Sequence, residues 1–171
     1  MSSNLRGKKV VVFGGNGFIG SHLVNHLCEE ACEVKIVTKQ KKPKKKIFFA
    51  SEPGQVSFEE IVYEQSAINK AICDYDIVFN LVGILAENKT SKFKFVHTEI
   101  PRMIAKSVNL NKVKSYIHVS ALNVDIIKDS KYALSKYKGE IELKKEFSNA
   151  IIVRPSVVFG KGDNFTNFFS K

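Results

Sequence analysis

Lys8-Lys9-Val10-Val11-Val12-Phe13-Gly14-Gly15-Asn16-Gly17-Phe18-Ile19-Gly20 decides the fold. An apolar run enters a glycine-rich turn, and a helical pattern follows over residues 18–29. In that order the free N–H groups and the positive end of the helix face out beyond the turn, an arrangement suited to a pyrophosphate. The glycines stand at 14, 17 and 20, a GxxGxxG spacing offset from the commoner GxGxxG. Gly14 permits the tight turn, Gly17 the close approach of phosphates, and Gly20 the packing of helix on strand. Asn16, Phe18 and Ile19 belong to the same candidate cofactor cradle. Glycine-rich turns also occur in βα units that bind nothing, so the motif carries weight only with this strand before it and this helix after it.

Apolar and period-two runs alternate with helical patterns along the rest of the chain. Strands are expected at 8–13, 33–38, 57–62, 76–81, 115–120 and 150–154, and helices at 18–29, 66–73, 92–110 and 130–147. This βαβ rhythm implies an α/β fold, a doubly wound parallel sheet covered on both faces, with strand order 3-2-1-4-5-6. Residues 40–56, with Pro43, Pro53 and Gly54, are the least regular part. The expected division is a nucleotide-binding domain over 1–163 and, over 164–171, the start of a segment whose remainder is missing. Phe165, Phe168 and Phe169 there have helical spacing and little chain left to bury against.

The 171 residues suit one domain, and a 44% hydrophobic content is enough for a core. The net charge of +10 is mostly local, because Lys39 to Lys46 reads KQKKPKKK, six lysines in eight residues. Such a tract can touch an anionic membrane peripherally, or simply be a solvated loop. Nucleic acid is the less favoured partner. No apolar run reaches the length of a membrane span, and the N-terminal segment lacks the pattern of a secretory signal. Cys28, Cys32 and Cys73 lack the further ligands of a metal set, so no metal is expected and the thiols read as reduced.

Tyr132-Ala133-Leu134-Ser135-Lys136 opens the helix after the fifth strand. Residues at i and i+4 share a helix face, so Tyr132 and Lys136 can point to one site. A nearby ammonium would favour the phenolate and lower the tyrosine pKa, and tyrosine could then act as acid or base between carbonyl and alcohol. The plainer alternative is a packed tyrosine beside a solvated lysine.

With those elements in place, the chain resembles the N-terminal part of an extended or atypical short-chain dehydrogenase/reductase, a Rossmann fold. The resemblance rests on the glycine turn, on Asp76 to Gly83 (DIVFNLVG), on Ser120-Ala121, on Tyr132-x3-Lys136 with Gly139-Glu140, and on Ile152 to Gly160 (IVRPSVVFG). FNLVGIL, HVSAL, SKYALSKYKGE and VRPSVVFG are similar to the branch holding the NADPH-binding accessory subunit of respiratory complex I and its bacterial relatives, some linked to ubiquinone biosynthesis. The resemblance implies a catalytic pair in Tyr132 and Lys136, with Lys136 also on the cofactor ribose. It adds Arg154 and Pro155 to the cofactor contacts and implies a C-terminal substrate domain that is largely missing here. It also implies a serine or threonine steadying the substrate oxygen. That position falls on Ala121, with Ser120 just before it as a substitute.

The second strand ends Thr38-Lys39-Gln40-Lys41 without the acid that accepts ribose hydroxyls in NAD-selective sites. Thr38 can hydrogen-bond a 2′-phosphate and Lys39 or Lys41 can neutralise it, which favours NADP(H) over NAD(H). Asn80, Val82 and Gly83 end the fourth strand at the crevice where the strand order reverses, and His97, near a position family enzymes often fill with asparagine, reads as structural. Three readings follow. The first is a cofactor-holding accessory or assembly subunit of a respiratory or quinone-related complex. The second is an oxidoreductase or epimerase on a small hydroxy, keto or nucleotide-sugar substrate. The third is a non-functional fragment. The expected partners are respiratory-complex subunits, a C-terminal partner chain or a second copy. The expected location is the cytoplasm, peripheral to a bacterial inner membrane, or alternatively the mitochondrial matrix.

Overall fold

The structure, a computed structural model, describes residues 5–39 and 53–160. Lys41, the rest of the lysine tract to Lys46, the 163/164 boundary and Phe165, Phe168 and Phe169 lie outside the described residues. The strands are β1 Lys9–Phe13, β2 Glu33–Thr38, β3 Val56–Glu60, β4 Ile77–Asn80, β5 Ser115–Val119 and β6 Ile151–Val153. The helices are α1 Phe18–Glu29, α2 Gln65–Ile72, α3 Ile100–Leu110 and α4 Lys131–Glu146. All strand pairs are parallel and the order is β3-β2-β1-β4-β5-β6, the expected doubly wound sheet.

β1 lies at the centre, which explains why its sequence does not alternate: Val10, Val11, Val12 and Phe13 are all fully buried, on both faces. Val11 and Phe13 pack with Val78, Tyr116, Ile104 and Leu143 under α2, α3 and α4. Val10 and Val12 pack on the other face with Val34, Ile36 and α1 residues Val24 and Leu27. Phe13 stands opposite Val37 on one side and Asn80 on the other, so β1, β2 and β4 end together and their turns enclose the crevice. β6 is an edge, with Ile151 and Val153 half exposed.

One expected element differs. The helix read over 92–110 is α3 preceded by a π-helical stretch, Lys94–Glu99, in which the Ile100 N–H donates to Phe95 O. Pro101 has no N–H to give the carbonyl four residues back, that of His97, so the tighter α-helical ladder cannot run through this turn. Cys28 and Cys32 are buried free thiols and burial pushes both thiols up, while Cys73 is exposed.

Candidate functional site

The glycine turn is built as a cradle. Gly14 has φ +79°, a backbone region natural to glycine, and a Cβ there would lie 3.1 Å from the main chain of Leu81 and Val82. A Cβ at Gly20 would lie 2.7 Å from Gly15 Cα, so only glycine lets α1 start this close to β1. Gly17 donates to Gly14 O at 3.0 Å and caps α1 with no side-chain acceptor on the helix's first N–H groups. Among the described residues a Cβ on Gly17 would meet only Gly14 O, at 3.3 Å. Phe18 and Ile19 contribute main chain here; the Phe18 ring packs edge-on against His22.

From this turn a crevice of about 700 Å³ runs between the carboxyl ends of β1, β2, β3 and β4. Thr38 and Lys39 line one end and Leu81, Val82, Gly83 and Ile84 the other. Asn16 Nδ2 donates to Thr38 Oγ1 at 3.3 Å, tying the turn to β2, and Lys39 Nζ donates to Ser91 Oγ at 3.2 Å. Glu60, opposite Thr38 in the β2–β3 register, adds a carboxylate to the lining. Cradle, open Gly17 and crevice together fit a dinucleotide.

Gly83 joins the crevice to Lys136 and His97. A Cβ on Gly83 would lie 3.5 Å from Lys136 Nζ and 3.8 Å from His97 Nε2. Ser130 starts α4 by accepting the Ala133 N–H, which turns Tyr132 and Lys136 toward this point. Lys136 is buried and donates to Val119 O at 3.0 Å; burial pulls its pKa down to about 8 against the opposing pull of Glu140. His97 is fully buried and accepts the Ile84 N–H on Nε2 at 3.1 Å. Its proton therefore sits on Nδ1 and is given to Ser135 Oγ at 2.9 Å, and Ser135 passes its own to Tyr132 O at 2.7 Å. Burial first and Lys136 second lower the His97 pKa to about 4, so the ring is neutral.

The structure brings Tyr132, Lys136 and Gly83 together around His97, but the expected phenolate activation is not there. Burial raises the Tyr132 pKa: its ring packs edge-on against Phe93 and His97. Ser120 is buried, and Ala121 beside it carries no hydroxyl. Asn80 is fully buried; its Oδ1 accepts the Val82 N–H at 3.0 Å, so it holds the crevice wall from behind. Arg154 is committed to Glu140 at 2.6 and 3.0 Å and to Asp125 at 2.7 Å, and the Pro155 carbonyl accepts the Leu122 N–H. Neither is brought to the crevice. Ser135, Ser91 and Glu60 are site residues that the sequence reading did not assign; of these only Ser135, inside the Tyr132–Lys136 motif, left a local signal.

The family model for the NAD dependent epimerase/dehydratase family matches residues 10–171. The chain is 35% identical over 170 residues to NADH dehydrogenase (ubiquinone) 1 alpha subcomplex subunit 9, mitochondrial, of Mus musculus, covering 98% of this chain and 45% of that protein. It is 31% identical over 162 residues to the NADH-ubiquinone oxidoreductase 40 kDa subunit, mitochondrial, of Neurospora crassa, covering 94% of this chain and 43% of that protein. The chain thus spans less than half the length of these relatives. Its fold is similar to UDP-glucuronic acid 4-epimerase from Bacillus cereus in complex with NAD, with TM-score 0.70 and 22% identity over 89% of this chain and 58% of that one.

Proposed function

The chain belongs to the NAD dependent epimerase/dehydratase family, and from that premise we propose that it holds NADP(H) in preference to NAD(H) as an accessory or assembly subunit of a respiratory or quinone-related complex, with little or no turnover of its own. The observation that carries the reading lies just past β5: Ala121 has no hydroxyl to give a reacting oxygen, and Ser120 before it is buried. Loss of one such donor typically costs about 2.7–4 kcal/mol at the transition state. The cofactor cradle, by contrast, is intact.

A bound dinucleotide would supply hydride chemistry. Gly14, Gly17 and the start of α1 would receive its pyrophosphate, and Lys136 beside Gly83 would reach its ribose. Preference for the 2′-phosphate is supported by Thr38 and by the Lys39 ammonium held on Ser91; Glu60, on the neighbouring strand, opposes it. The names of the mitochondrial relatives support respiratory subunits as partners and a mitochondrial location; the matrix, or alternatively a bacterial cytoplasmic membrane face, is part of the proposal. A C-terminal partner chain or self-association, and membrane contact through the lysine tract, belong to the same proposal. No helix among the described residues is long and apolar enough to cross a membrane.

A second reading, an oxidoreductase or epimerase, is favoured by one observation: the buried Lys136 ammonium stands at the end of the crevice with Tyr132 on the same helix. Calorimetric titration with NADPH and NADH tests the main reading. Tighter NADPH binding is expected; equal affinities or a preference for NADH would overturn the 2′-phosphate argument, and no binding of either would overturn the cradle.

A further inference from the structure

His118 lies in β5 and Ser120 one residue past its end, where the Ser120 N–H still donates to Val153 O of β6, so the extended register puts both side chains on one face of the sheet. That face is closed over them: His118 is 0% and Ser120 4% exposed. Each carries a buried polar atom with no hydrogen-bond partner among the described residues, Nε2 of His118 and Oγ of Ser120. The other side of the imidazole fixes its protonation. Asn80 gives its Oδ1 to the Val82 N–H, so the atom 3.1 Å from His118 Nδ1 is the amide nitrogen, a donor. Nδ1 therefore accepts, the ring proton sits on Nε2, and the unpartnered atom is a donor.

Lys136 reaches the same place from α4. Its ammonium donates one hydrogen to Val119 O, the carbonyl between the two residues, at 3.0 Å. Its charge also helps hold the His118 imidazole neutral, after burial itself. Two further ammonium hydrogens remain in a buried setting where polar groups ordinarily find partners.

We propose that His118, Ser120 and Lys136 hold one resident water molecule behind the reaction site, and that His118 is through it a positioning residue for the lysine ammonium. The water accepts from His118 Nε2–H and from a second Lys136 hydrogen, and donates to Ser120 Oγ. That gives it three partners, the usual number for a buried water. Asn80 sets the direction of the whole chain, since its amide decides which imidazole nitrogen carries the proton. The inference rests on the fold of β5 and α4, so its failure leaves the cofactor reading standing.

The test is a crystal structure of the protein at a resolution that shows ordered water, together with an NMR titration of the Lys136 ammonium in the wild type, Ser120→Ala and Ser120→Thr. The expected map shows a water within hydrogen-bond distance of both His118 Nε2 and Ser120 Oγ. In Ser120→Ala the Lys136 midpoint falls by roughly half a unit or more, because the water, left without its acceptor, is held less well and its hydrogen bond from the ammonium, which favours the charged form, weakens. Ser120→Thr, which keeps the hydroxyl, retains the wild-type midpoint. A direct His118–Ser120 bond in the map, a dry site, or an unmoved Lys136 midpoint in folded Ser120→Ala would overturn the proposal. If Ser120→Ala does not fold, the wild-type map decides alone, and the nitrogen shifts of His118 check it: a proton on Nδ1 overturns the chain.

Discussion

Gly139 of α4 packs directly onto the His97 carbonyl: a Cβ there would overlap its oxygen and lie 3.0 Å from its carbon. His97 O is also the carbonyl from which Pro101 withholds an N–H. The π-helical turn and the glycine three residues after Lys136 are therefore one joint, and it sets the distance between His97 and the Tyr132–Lys136 face. Gly139→Ala should push α4 off this turn. We expect a loss of about 1–3 kcal/mol, the range for an overpacked core, in urea unfolding, together with weaker cofactor binding. An unchanged midpoint would mean the joint yields freely.

Gly17→Val should abolish nucleotide binding while leaving the helical circular dichroism intact. Gly17 has φ −78°, which valine can adopt, and among the described residues the only neighbour a Cβ would meet is Gly14 O. The branched side chain would instead fill the open space before the first N–H groups of α1. Undiminished binding by the variant would show that the turn serves structure alone.

Lys39→Glu should weaken NADPH binding by roughly tenfold or more while changing NADH binding far less, since one charge pair in a partly buried site is worth on the order of 1–2 kcal/mol. Lys39 lines the crevice and is steadied by Ser91. Calorimetry with both cofactors reads the difference, and parallel losses for the two would point to a role for Lys39 in holding the Ser91 loop.

Stability should fall with acid earlier than carboxylates alone would cause. Burial, then Lys136, lowers the pKa of His97 to about 4 and of His118 to about 3. Between those values and the ordinary histidine pKa near 6.5, the unfolded chain binds protons that the folded chain refuses. The stabilisation is therefore complete above about pH 6.5 and is lost as pH falls toward 4, at about 1.4 kcal/mol per unit for each histidine. Protonation would also remove the Nε2 acceptor of the Ile84 N–H. Urea midpoints at a few pH values check this, and a flat profile from about pH 7 to 5 would contradict it.

What the sequence made legible was local. The unbroken apolar run of β1 and the three glycines specify strand, turn and helix within thirteen residues, and strand periodicity with parallel crossovers then makes 3-2-1-4-5-6 the default order. What it hid depends on long-range packing. Lys136 could be placed on the face of Tyr132, but its target, Val119 O, lies 17 residues back and exists only once α4 docks on β5. Ser120 was legible as a hydroxyl near the site, yet the side of the strand end it takes was not. The hold of Glu140 and Asp125 on Arg154 was hidden because they lie 14 and 29 residues away. Pro101 was visible in the helical stretch, but the π-turn it leads to shows only against Gly139.

Tyr132 should remain a neutral phenol and the protein should show no turnover on simple alcohols, ketones or nucleotide sugars. The tyrosine ring is half enclosed by Phe93 and His97, and burial raises its pKa. Among the described residues no hydrogen bond reaches its hydroxyl, and the Lys136 ammonium donates to Val119 O rather than to the phenol. An acid–base catalyst near neutral pH needs a pKa moved in the opposite direction. The ultraviolet difference titration between wild type and Tyr132→Phe should therefore show no phenolate from Tyr132 below about pH 10. Assays with added NADPH should match the background rate, and Tyr132→Phe should change neither that rate nor cofactor affinity by much. A low-pH phenolate, or turnover lost on Tyr132→Phe, would transfer the chain to the oxidoreductase reading and require that Ser120 or a group beyond the described residues supply the donor that Ala121 lacks.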